Sequence, residues 1–285
     1  MKLLSFSGGA TKLAGLAAHG SKILEFYKPD VVAGISAGSL ILIPMLLNKH
    51  RKLKEVSTNL KFTDIFDKVP VDEKGNITLK GYLRGLTTGS FGSMSNLRTT
   101  FKSLVSEQEF NLLTRSRLTP LILVGVTNAT KHKFELIEIN KLTYEQAIDV
   151  LIASSTIPIY CPPIKIGEHY FYDGGLKEHN PATSILRKYK DNIKECISVY
   201  SRQSDIAEPD WGFNGRYLGR NLSKTVDLMQ KDISFENQNT EKELCALYGV
   251  KLTQKFSPEI MKGVYDIDNN RLKELYNKVI SSYNV

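Results

Sequence analysis

Three short stretches carry residue types and spacings suited to acyl chemistry. Gly34-Ile35-Ser36-Ala37-Gly38 is a G-x-S-x-G that follows an apolar run and opens a helical pattern. That strand–turn–helix setting raises a serine hydroxyl on a strained turn, and small neighbours let strand and helix approach closely. The helix N-terminus behind Ser36 favours developing negative charge. Ser7-Gly8-Gly9-Ala10-Thr11-Lys12 is a glycine-rich loop entering a helix, where exposed backbone N–H groups form an anion site. Beside a nucleophilic serine, such a loop serves as an oxyanion hole. It is not a phosphate-binding G-x-x-x-x-G-K-[ST] loop. The third stretch, Asp173-Gly174-Gly175, places a carboxylate at a strand end before two glycines.

A serine nucleophile needs a base. The histidines are His19, His50, His132, His169 and His179, and none follows His179. An α/β-hydrolase would carry its histidine well downstream of the acid, and its elbow would follow more than two strands, so a Ser-His-Asp hydrolase fits poorly. An aspartate takes the hydroxyl proton directly when partial desolvation raises its basicity and the proton passes to the leaving group. Asp173 is the candidate, although Asp-Gly-Gly is also an ordinary turn.

The elements that must position these residues follow from periodicity. Lys2–Phe6 reads as a strand, Lys12–Phe26 as a helix, Val31–Gly34 as a strand and Ala37–Asn48 as a helix. Such β-α-β-α succession points to a parallel sheet covered by helices. Residues 50–118 read as mostly helical, interrupted by a glycine-rich surface loop from Gly81 to Gly92. Strands are expected at Leu121–Asn128, Lys133–Glu138, Tyr170–Tyr172, Cys196–Ser201 and Lys251–Phe256, and helices at Thr143–Ser154 (Thr143 as N-cap), about 215–248 and from about Asp268. Ser204–Gly215 is the best candidate boundary, dividing residues 1–203 from a mainly helical C-terminal extension, 204–285, packed on the same domain.

Composition narrows the class. The chain has 285 residues, 41% hydrophobic and 24% charged, which excludes disorder, collagen-like repeats and coiled coil. Cys161, Cys196 and Cys245 form no C-x-x-C pair, which argues against a disulfide framework or structural zinc and for a reducing compartment. The N-terminal apolar stretch is too short for a secretory signal, and Val31–Leu47 is too short to span a bilayer. A cytoplasmic protein with at most peripheral membrane contact is expected. The net charge of +8, with basic clusters at Lys49–Lys54, Lys131–Lys133 and Arg187–Lys190, favours anionic partners such as phospholipid headgroups. No arginine-rich arm or RNA-binding signature points to nucleic acid.

Together these motifs resemble the patatin-like phospholipases in order and spacing. Ala153-Ser154-Ser155-Thr156-Ile157-Pro158 with Pro162-Pro163 looks like the segment preceding that family's aspartate, as does Asn180-Pro181 after it, and the resemblance covers about 1–200. It implies an α/β fold, a three-layer α/β/α with a mostly parallel central sheet. It also implies a lipid acyl hydrolase acting on glycerophospholipid esters through a Ser36–Asp173 dyad and an acyl-enzyme, with no cofactor and no metal. The N–H groups of Gly8, Gly9 and Ala10 would hold the oxyanion. Gly34, Gly38, Gly174, Gly175 and Lys12 support the motifs. The family loop usually runs Gly-Gly-Gly-x-Arg/Lys-Gly, whereas here Ala10 and Leu13 replace two glycines and Lys12 keeps the basic place. Leu40, Ile41, Ile43 and Met45 are candidates for an apolar acyl lining. A triacylglycerol lipase or acyltransferase would use the same dyad, and a non-catalytic lipid-binding scaffold would need neither Ser36 nor Asp173.

Overall fold

The computed structural model describes residues 1–72, 77–202, 218–262 and 266–283. The expected boundary at Ser204–Gly215 lies outside the described residues. In chain order the first half runs β1 (Lys2–Phe6), α1 (Leu13–Phe26), β2 (Val31–Ile35), α2 (Ala37–Leu46), α3 (His50–Thr58), α4 (Phe62–Ile65), α5 (Leu79–Thr88), α6 (Ser95–Leu104) and α7 (Glu107–Arg115). The second half runs β3 (Leu121–Asn128), β4 (Lys133–Glu138), α8 (Tyr144–Ser154), β5 (Ile164–Ile166), β6 (His169–Asp173), α9 (Ala182–Lys188), β7 (Glu195–Tyr200), α10 (Leu218–Tyr248), β8 (Lys251–Phe256) and α11 (Asn269–Ser281).

One sheet joins the strands in the order β5-β6-β3-β2-β1-β7-β8, with β4 on β3 as well. The pairs β3–β2, β2–β1, β1–β7 and β7–β8 are parallel, while β4, β5 and β6 add antiparallel pairs at one side. Parallel central strands are covered on both faces and so read as continuous apolar runs; Val31–Ile35 is buried throughout. Alternation along β1 sorts the layers. Leu4 and Phe6 pack with α1, α2 and α8, while Leu3 packs with α9 and Cys245 of α10. The result is the expected three-layer α/β/α with a mostly parallel sheet. Beyond it, α11 lies on the outer side of α1 through Leu272, Leu275 and Val279.

The register on β3 decides where the site forms. β4 occupies one edge of β3 from Leu123 to Asn128. Along the opposite edge β2 pairs as far as Ile35↔Gly125, and β6 takes over at Asp173↔Val126. Since β2 runs parallel to β3 and β6 antiparallel, the two strands meet end to end. Ser36, the next residue after Ile35, therefore arrives beside Asp173.

The stretch Gly81 to Gly92 is not simply a surface loop, because Leu79–Thr88 is a helix. Thr78 caps it, its hydroxyl accepting from the Gly81 N–H at 3.0 Å, and Gly89 at φ +73° ends it. Gly81 and Gly85, which suggest a loop, lie where space is short. A Cβ on Gly85 would lie 2.6 Å from the Phe91 ring. Thr143 does cap α8, reciprocally with Gln146.

Candidate active site

Ser36 sits between β2 and α2 at φ +53°, ψ −127°, a conformation that costs a non-glycine residue about 1–3 kcal/mol. Its two flanking glycines are required by contact. A Cβ on Gly34 would lie 2.4 Å from the Gly38 carbonyl oxygen, and one on Gly38 would lie 2.5 Å from the Ser7 carbonyl oxygen. The strained turn is braced from α8: the Ser36 N–H donates to Ser154 Oγ at 2.9 Å, and Ser154 Oγ donates to the Gly125 carbonyl at 2.7 Å.

Asp173 is held equally firmly by its backbone. Its N–H donates to the Thr156 carbonyl at 2.9 Å, and its own carbonyl accepts from Thr127 Oγ1 at 2.8 Å. The segment 153–158 thus fastens both Ser36 and Asp173, a task that sequence motifs alone do not disclose. The carboxylate is 1% exposed. Oδ1 accepts from the Gly175 N–H at 2.7 Å. Oδ2 has no hydrogen-bond partner among the described residues. The Ser36 hydroxyl lies near enough to favour the charged carboxylate, yet makes no hydrogen bond of standard geometry to it. Burial dominates and pushes the Asp173 pKa up to about 7, against the smaller opposing effects of Ser36 and Gly175. A carboxylate of that basicity suits proton transfer near neutral pH.

The glycine loop lies across from this pair. A Cβ on Gly8 would sit 3.5 Å from Ser36 Cβ, so loop and nucleophile touch. The three N–H groups expected to face an oxyanion are not equivalent. The Gly8 N–H donates to the His179 carbonyl at 2.8 Å, which corrects its expected role, whereas the Gly9 and Ala10 N–H groups take no partner among the described residues. Ala10 stands at φ +45°, so the alanine adopts the left-handed backbone that glycine takes freely. Ser7 fixes the loop's entry: its hydroxyl donates to the Gly8 carbonyl at 2.7 Å and accepts the Ser201 N–H at 2.9 Å. Lys12 is buried and pairs with Glu259 at 2.5 Å, which ties the loop to the chain beyond β8.

His179 is a neutral wall. Its ring stacks on Tyr200 with centroids 6.4 Å apart, and neither ring nitrogen has a partner among the described residues. Burial, reinforced by Arg202 and Lys12, pushes its pKa down to about 3. Its backbone does the positioning. The His179 and Asn180 N–H groups both donate to Asn237 Oδ1 of α10, at 2.6 and 3.2 Å, and the His179 carbonyl then holds Gly8.

An apolar cavity of about 100 Å³ opens at Ser36, lined among others by Leu40, Val56, Phe66, Leu97, Phe101 and Tyr160. Of the α2 residues expected there, only Leu40 takes part. Ile41, Ile43 and Met45 are fully buried in the main core instead. The lining comes mostly from α3, α4, α6 and the segment 155–161. Among the described residues no three His, Cys, Asp or Glu side chains gather as a metal site, and no helix is long and apolar enough to cross a membrane.

Residues 4–186 match the family model described as patatin-like phospholipase. No curated protein matches the chain. Among solved structures, the crystal structure of VipD from Legionella pneumophila is similar over 99% of this chain and 67% of that one, with 12% identity and a TM-score of 0.48.

Proposed function

The chain belongs to the patatin-like phospholipase family, and from that premise we propose that it hydrolyses carboxylic esters of glycerophospholipids through Ser36 and Asp173. The carrying observation is a buried carboxylate with an unpartnered oxygen, raised to a pKa of about 7, beside a serine on a strained turn at the mouth of an apolar cavity. Asp173 takes the proton as Ser36 Oγ bonds to the ester carbonyl carbon. The Gly9 and Ala10 N–H groups, with no partner among the described residues, receive the oxyanion. The carbon–oxygen bond to the glycerol moiety then breaks, the leaving alkoxide takes the proton from Asp173, and the acyl group stays on Ser36. Water, deprotonated by Asp173, attacks that ester; the bond from Ser36 Oγ to the acyl carbon breaks, Ser36 takes the proton back from Asp173, and the fatty acid is released.

The apolar lining of the cavity supports an apolar acyl group. A triacylglycerol lipase or an acyltransferase would share every step up to the acyl-enzyme and differ in leaving group or acceptor. A non-catalytic lipid-binding scaffold would have no use for an unpartnered buried carboxylate beside a serine.

Fluorophosphonate labelling of wild type, Ser36→Ala and Asp173→Asn, with fatty-acid release from mixed anionic phospholipid vesicles, tests the reading. Labelling confined to Ser36 and release lost in both variants is the expected result. Folded wild-type protein that neither labels nor hydrolyses would sink it.

A further inference from the structure

The helix α5 has its amphipathicity inside out. Gly81 and Gly85, four residues apart, form its inner face; a Cβ on Gly81 would lie 3.0 Å from the Pro70 carbonyl oxygen, and Gly85 sits against Phe91. Leu79, Leu83 and Leu86 share the opposite face within a narrow arc. They are 76%, 58% and 85% exposed. A globular helix ordinarily turns its leucines to the core, and a contiguous apolar stripe on the outside marks a contact surface.

The charge on this helix has one sign. Lys80 and Arg84 lie together along one side of the leucine stripe, and α5 carries no acidic residue. Apolar side chains bordered by cations are the composition of a helix lying in a lipid interface with anionic headgroups. The helix is also joined to the cavity wall by ring contacts. Tyr82 of α5 packs on Phe91 at 5.9 Å between centroids, and Phe91 packs edge-on against Tyr160, which lines the cavity. Beside it Ile159, 46% exposed, is held at φ +72° while its carbonyl accepts the Phe91 N–H at 2.9 Å. A β-branched residue rarely adopts that backbone, and here it keeps an isoleucine exposed within the segment that lines the cavity.

We propose that the leucine face of α5 docks the protein on a lipid layer bearing anionic headgroups. Docking there sets the Ser36 cavity beside the layer; that consequence rests on the lipid-hydrolase reading, whereas the docking itself does not.

Co-sedimentation with phosphatidylcholine vesicles, with and without phosphatidylglycerol, tests it on the full chain. Wild type pellets with the mixed vesicles. The L79S/L83S/L86S variant partitions about tenfold more weakly, and K80E/R84E loses the preference for phosphatidylglycerol. Both keep wild-type fluorophosphonate labelling and hydrolysis of a monomeric short-chain ester. Leu86→Trp, a single change that leaves the other leucines in place, shows a blue-shifted emission on vesicles. Wild type that stays in the supernatant, a triple variant that pellets like wild type, or unshifted Trp emission would each overturn the proposal. So would a dimer in sedimentation velocity that the triple variant abolishes while vesicle binding persists. If binding depends on α5 but Ser36 never labels, the hydrolase reading falls and the docking surface stands.

Discussion

Asp173 and Glu241 are both buried carboxylates, and burial raises the pKa of each. Their surroundings differ in kind. Glu241 on α10 accepts from Ser198 and Tyr200 of β7, from Gln254 of β8 at 2.8 Å and from the Cys196 thiol at 3.5 Å. Both its oxygens are occupied. Asp173 has one occupied oxygen and one without a partner among the described residues. Burial with a raised pKa is therefore shared by a structural knot and a proposed base. What distinguishes them is an acceptor left unspent and turned toward a reactive group, since an unsatisfied buried acceptor is costly and rarely kept without a use.

Several changes would break or sharpen that contrast. Asp173→Asn is expected to cut fatty-acid release by about 10²–10⁴ in a steady-state assay. The same variant should melt higher than wild type at pH 8. The folded pKa of about 7 lies above the unfolded one, so Asp173 favours folding at low pH and that contribution is lost as pH rises through 7. A melting temperature at pH 8 below that of wild type would show that the carboxylate is structural after all.

The pH profile is the next largest effect. Activity requires the deprotonated carboxylate, so the Ser36 labelling rate should rise about tenfold per pH unit below 7 and level off above it. A flat profile between pH 5 and 8 would remove Asp173 as the base. Asn237→Leu, which frees the His179 and Asn180 N–H groups, should slow kcat by about tenfold with little change in KM, because it loosens the oxyanion loop rather than the cavity. A change confined to KM would argue against that chain of contacts.

Glu241→Gln is the mirror of Asp173→Asn. Hydrolysis should stay within about threefold, while chemical denaturation shows a loss of about 1–3 kcal/mol, because an amide presents donors where all the neighbours already donate. A large loss of activity with stability unchanged would erase the distinction between the two carboxylates. The smallest effect is expected at Ala10. Ala10→Gly relieves a left-handed alanine and should stabilise by up to about 1 kcal/mol, read as a shift in denaturation midpoint, with hydrolysis within about twofold.

The strand–turn–helix that carries Ser36 was legible because its signal is local: two glycines, a serine, a strand before and a helix after. Asp173 was legible as a carboxylate at a strand end, but its partnership with Ser36 depends on which residues of β3 each strand reaches, and register between distant strands leaves no mark on either. The α2 lining was misread because that helix is apolar on every side, so its sequence does not say which face meets the cavity and which the core. In α5 the glycines looked like loop residues, since their value lies in the room that Pro70 and Phe91 do not leave. Asn237 carried no signal at all; its oxygen matters only once α10 lies against the start of α9.

The end-to-end meeting of β2 and β6 has a mechanical consequence. Because Gly125 pairs with the end of one strand and Val126 with the end of the other, β3 acts as a ruler on which nucleophile and acceptor are adjacent graduations. A strand advances about 3.3 Å per residue. Two residues spliced between these graduations would restore every side chain to its proper face and still open the gap by about 6.6 Å, too far for a proton to cross. The distance that governs the chemistry is thus counted out in a strand that contributes no reacting atom of its own.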